Sequence, residues 1–129
     1  MIHVHDCLAG FIRLIAIADK FALDRYASKG GVTAWEKNLD AIVEEMQKYM
    51  APTNIRFALL KRVVWKTDVV GKPKGGHQEY MQHFLNRAKT EFWDKNARYD
   101  AAYLFTGHSW ADSVGVGTIG TVCTPKSGG

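Results

Sequence analysis

The sequence predicts an α/β domain built on a parallel sheet, and three observations carry that expectation. Apolar runs rich in β-branched residues at Phe11–Asp19, Asn54–Trp65 and Ala101–Phe105 read as buried strands. Between them stand two segments whose apolar residues recur at i, i+3, i+4 and i+7, the periodicity of amphipathic helices. Strand, helix, strand, helix, strand is the order of right-handed crossovers feeding one parallel sheet.

Bulk composition fits one ordinary globular domain over residues 1–129, with 47% hydrophobic and 23% charged residues. A net charge of +4 and a pI near 9.1 raise the question of nucleic acid. The cations are scattered with no arginine-rich arm, so a solvated basic surface is expected and no nucleic-acid partner. The two cysteines, Cys7 and Cys123, make no C-x-x-C metal or redox motif and are compatible with buried or free thiols.

In chain order, Leu8 to Ala18 comes first. Its Ala16-Ile17-Ala18 end resembles a signal-peptidase site, but Arg13 interrupts the apolar run and no basic region precedes it. The run is too short to span a membrane. Its β-branched content assigns a strand with Phe11, Leu14, Ile15 and Ile17 buried. A short helical turn through Phe21, Leu23 and Tyr26 follows and breaks at Gly30-Gly31.

The clearest helix carries the stripe Val32, Trp35, Leu39, Ile42, Val43, Met46, Tyr49 and Met50, with Thr33 and Glu36 as a capping box and Pro52 as its stop. The strand from Asn54 shows Ile55, Phe57 and Leu59 on one face and Ala58 and Leu60 on the other, which implies cover on both sides. A loop from Thr67 to Gly76 contains the breaker Lys72-Pro-Lys-Gly-Gly76. The second helix runs from Gln78 to Trp93, with Tyr80, Met81, Phe84, Leu85, Ala88 and Phe92 inward and His83 near the stripe as a surface residue.

After the strand Ala101–Phe105 the chain breaks at Thr106-Gly107-His108-Ser109 and resumes as Val114, Gly115, Val116, Gly117, Thr118, Ile119, Gly120 and Val122. So many glycines weaken a central strand and leave bare backbone for close approach. An edge strand beside a cleft uses such backbone, because its unpaired N–H and C=O groups can bind an extended peptide. The open alternatives are a plain edge strand or one paired with another chain.

These residues carry a resemblance. Asp100-Ala-Ala-Tyr-Leu-Phe-Thr-Gly107, a polar turn, then Val114-Gly-Val-Gly-Thr-Ile-Gly-Thr-Val-Cys123 resembles the reprolysin or adamalysin-like zinc metalloproteases, the M12B-type metzincins. The family's stretch runs D-x-A-x-L-x-T-G, then roughly T-V-G-L-A-Y-V-G-T-M-C. The segments Phe11–Asp19 and Ala51–Leu60 look like its first two strands. The resemblance implies a three-layer, mostly parallel twisted sheet whose glycine-rich strand lies antiparallel at the edge. There Val114, Gly115, Val116, Gly117, Thr118, Ile119 and Gly120 would pair with a peptide or protein substrate.

It also implies zinc, an extracellular location, and a disulfide from Cys123 to a cysteine outside this chain. The zinc site of metzincins is H-E-x-x-H-x-x-G-x-x-H on a helix, with the Glu as general base. His3, His5, His77, His83 and His108 form no such pattern. The chain is therefore expected to be the N-terminal half of a protease domain that does not catalyse alone. Without the family's next strand, its glycine-rich edge is expected to leave an apolar face exposed and prone to aggregation.

Two departures stand out. Many reprolysins hold calcium with an acidic residue in the first strand and another at the start of the third. Asp100 matches the second position, but Arg13 stands at the first, which argues against calcium. An Arg13–Asp100 ion pair is the alternative and requires a separation within about 4 Å. Gly117-Thr118 replaces the family's Ala and aromatic residue, which would loosen the substrate strand. Three function classes follow: a partial zinc endopeptidase, a non-catalytic peptide-binding remnant, and an unrelated small basic α/β binding module.

Overall fold

The structure, a computed structural model, describes residues 10–67 and 76–108. Its sheet has β1 (Phe11–Ala18) in the middle, β2 (Arg56–Val64) on one side and β3 (Ala101–Phe105) on the other, all parallel. Helices α1 (Lys20–Tyr26) and α2 (Gly31–Met50) connect β1 to β2, and α3 (Gly76–Glu91) lies between β2 and β3. The mixed α/β fold matches the predicted alternation. The antiparallel edge strand expected at Val114–Gly120, and both cysteines, lie outside the described residues.

The central strand has the most continuous apolar run, and five successive residues, Leu14 to Ala18, are buried. Ile15 and Ile17 face one layer with Trp65, Phe84, Leu85, Ala88, Tyr99 and Ala102. Ala16 and Ala18 face the other, with Ala22, Trp35 and Leu39. Burying each large side chain contributes roughly 1.5–3 kcal/mol, so this double-sided strand holds the sheet between its two helical layers.

The expected face assignment of β2 fails at Leu60. The register runs Leu14 to Leu59 and then Ile15 to Lys61, which makes Leu60 the extra residue of a bulge, 48% exposed. Past the bulge the faces exchange. Leu59 and Val64, five residues apart, both pack in the α1–α2 layer, whereas Val63 packs with α3. As a result Arg62 reaches α2 and pairs with Asp40, and Lys61 lies over the Phe92 ring at 5.6 Å.

The two faces of β2 are covered by the two helical layers as expected, but among the described strands it pairs only with β1, so its outer side is an edge. Gln47 blunts that edge. Its side-chain Oε1 accepts from Phe57 N at 2.9 Å and its Nε2 donates to Ile55 O at 3.2 Å, as a neighbouring strand would.

The Thr33–Glu36 capping box is also corrected. Gly30, at φ 113°, and Gly31, at φ 67°, turn the chain into α2 so that Thr33 already lies inside its first turn, and the cap has no side-chain hydrogen bond. Of the predicted stripe, Trp35 and Leu39 are buried, but the end residues Val32 and Tyr49 are exposed. Helix α3 buries Tyr80, Phe84, Leu85 and Ala88 as expected and ends at Glu91, followed by a 3-10 turn at Trp93–Lys95.

Candidate functional site

At the carboxyl ends of the strands the chain converges on one carboxylate. Asp19 follows β1 and its backbone N donates to Phe105 O at 3.1 Å, while Trp65 N donates to Ala18 O at 2.9 Å, so three strands end together. An Asp directly before a helix suits an N-cap, and Asp19 Oδ1 accepts from Ala22 N at 2.7 Å. The same oxygen accepts from Gly107 N at 3.1 Å, and Oδ2 accepts from the Tyr80 hydroxyl at 2.8 Å. The side chain is fully buried, so its oxygens are satisfied by these hydrogen bonds rather than by water.

This arrangement fixes the exit of β3. Gly107 lies so close to α1 that an added Cβ would sit 2.3 Å from Phe21 C and O. His108 then packs at a tilt against Phe21, with ring centroids 4.2 Å apart, and meets the Tyr80 ring edge-on at 4.9 Å. In open α/β sheets, ligand sites form beyond the carboxyl ends of the strands. Residues 106–108, which precede the polar turn and the glycine-rich segment in sequence, are anchored at that edge.

At the opposite end of β3 stands Asp100. Arg13 Nε donates to its Oδ2 at 3.1 Å and Arg13 Nη2 to its Oδ1 at 3.1 Å, a two-pronged pair. Arg13 N also donates to Oδ2 at 2.7 Å, and Asp100 N donates to Arg13 O at 2.8 Å. The ion pair weighed from sequence therefore forms, and both carboxylate oxygens have a guanidinium donor. Beside it, buried Tyr99 meets Trp93 edge-on at 5.5 Å, and burial, with a smaller contribution from the Asp94 charge, pushes its phenol up to about 12.

Other candidates lead nowhere chemically. His83 is a surface residue 3.7 Å from Glu79, one helical turn away. An open cleft of about 680 Å³ lined by Glu45, Met46, Lys48, Tyr49, Met50 and Phe57 is apolar, and its Lys48 already pairs with Glu45. Among the described residues no group of three His, Cys, Asp or Glu is placed to hold a metal ion. Those residues do not fit a zinc site, and H-E-x-x-H does not occur in the sequence.

The glycine-rich residues Val114 to Gly120 and Cys123 lie outside the described residues. Asp19 and Tyr80 went unassigned as site residues in the sequence. The local signal for Asp19 was its position between a strand and a helix, but its bonds to Tyr80 and Gly107 span 61 and 88 residues.

A family model described as metallo-peptidase family M12, of the Reprolysin_5 type, matches residues 11–129. The chain belongs to the M12 metallo-peptidase family. Its mixed α/β fold is consistent with that membership, and the family implies peptides or proteins as substrates. No helix among the described residues of this M12 chain is long and apolar enough to cross a membrane.

Proposed function

We propose that this chain is the substrate-pairing part of a zinc-dependent, M12B-type metalloendopeptidase domain of an extracellular protein. In this reading the backbones of Val114, Gly115, Val116, Gly117, Thr118, Ile119 and Gly120 align an extended peptide by strand addition. The observation that carries it is the M12 family match, which runs through the glycine-rich segment. The Asp19 anchor supports it by holding Gly107, seven residues before that segment in sequence. Zinc ligands and the general base come from residues other than those of this chain. Asp100 does not serve calcium, because Arg13 already engages both of its oxygens.

The test is a fusion of this chain to an H-E-x-x-H helix segment of an M12 relative. The fusion is expected to cleave an unstructured peptide in a chelator-sensitive way, and Gly117→Pro to raise KM about tenfold by deleting a pairing N–H. A folded, zinc-loaded fusion that binds the peptide without cutting it supports the non-catalytic alternative. One that neither binds nor cuts contradicts both.

A further inference from the structure

The two halves of the described chain differ in charge. Residues 10–55, which include α1 and α2, hold six Lys and Arg (13, 20, 25, 29, 37, 48) against six Asp and Glu (19, 24, 36, 40, 44, 45). The described residues between 56 and 98, which include β2 and α3, hold eight (56, 61, 62, 66, 87, 89, 95, 98) against three (79, 91, 94). The excess cation therefore belongs to the second half of the described chain.

Within the α3 layer these cations are arranged on rings. Lys61 lies over Phe92 at 5.6 Å and Arg98 over Trp93 at 5.3 Å, and these rings belong to consecutive residues. Lys95 follows in the same 3-10 turn. Arg87 lies over Trp65 at 4.0 Å, but Glu91 neutralises it at 2.9 Å, and Asp94 does the same for Lys89 at 3.0 Å. Lys61, Lys95 and Arg98 have no ion-pair partner among the described residues. The bulge at Leu60 is what brings Lys61 to this side; uninterrupted alternation would have placed it on the α2 face with Leu59.

We propose that Lys61, Lys95 and Arg98 form a docking surface for a linear sulfated polysaccharide. Ring contacts hold two of the three charges in place, which reduces the ordering lost on binding. The partner must bring several anionic groups at spaced positions along a flexible chain. The cations cover faces of Phe92 and Trp93, which removes them as stacking platforms for single-stranded nucleic acid. Helix α3 turns its large apolar residues to the sheet and offers no greasy anchor for a lipid surface.

The experiment is calorimetric titration of the full chain with a heparin octasaccharide at about 0.15 M salt, where distant charges are screened. Lys61→Gln/Lys95→Gln/Arg98→Gln is expected to weaken binding at least tenfold. The charge-matched control Lys20→Gln/Lys29→Gln/Lys37→Gln, on the α1–α2 side, is expected to change it less than twofold. The charge-preserving Lys61→Arg/Arg98→Lys variant is expected to retain binding, and circular dichroism confirms folding of each protein. Equal losses in both triple variants overturn the proposal in favour of net charge alone. Tighter binding of duplex DNA, or of phosphatidylserine vesicles, at equal charge concentration also overturns it.

Discussion

Arg13 and Asp100, 87 residues apart in sequence, are joined by four hydrogen bonds that tie the first strand to the start of the third. The Asp100 side chain is 3% exposed and that of Arg13 36%. Removing the cation leaves a buried carboxylate with fewer partners. Arg13→Ala is expected to cost about 2–3 kcal/mol in urea unfolding, below the figure for a fully buried pair because water reaches the arginine. Adding millimolar calcium is expected to leave the melting temperature unchanged.

Asp19 makes a sharper comparison possible. Asp19→Ala removes the α1 cap and the bonds from Gly107 N and the Tyr80 hydroxyl, for an expected loss of about 3 kcal/mol. Tyr80→Phe removes one of these bonds and is expected to cost about 1 kcal/mol. Gly107→Ala is expected to be at least as damaging as Asp19→Ala, because its methyl meets backbone that cannot yield. Chemical denaturation of the three variants gives the order.

Alkaline pH probes Tyr99. Its folded pKa is raised from 10.0 to about 12, so between those values the unfolded chain releases a proton that the folded chain keeps. Stability is expected to be complete below pH 10 and to fall by up to about 1.4 kcal/mol per pH unit through this window, with Tyr103, also raised by burial, acting in the same direction. Tyr99→Phe is expected to reduce the slope. Because the Tyr99 hydroxyl has no hydrogen-bond partner among the described residues, the same change is expected to cost less than about 1 kcal/mol at pH 7.

Gln47 guards the β2 edge. Gln47→Ala exposes Phe57 N and Ile55 O, and is expected to lower stability by about 1 kcal/mol and to increase self-association in sedimentation experiments. Gln47→Glu keeps an acceptor for Phe57 N and adds repulsion between copies, so it is expected to restore the monomer.

How much of this was readable in advance varies with the range of the interactions. The strand at Phe11–Ala18 and the helix ending at Pro52 were legible because their apolar spacing is local. The bulge at Leu60 was not, since an extra residue in a strand leaves no mark on its own composition and is defined by the partner's register. Thr33 and Glu36 matched a capping pattern, but the left-handed glycines just before them had already started the helix. The Arg13–Asp100 pair was legible through resemblance, which placed the two positions side by side. The Asp19 junction depends on Tyr80 and Gly107 from distant elements and was invisible to any window of sequence.

Amide hydrogen exchange reads out whether Val114 to Gly120 receives a substrate backbone. With an excess of an extended, uncharged peptide, slowed exchange is expected at alternate amides between residues 114 and 120, with no change in β1. Unaltered exchange across that segment, with the peptide demonstrably bound elsewhere on the chain, would contradict it.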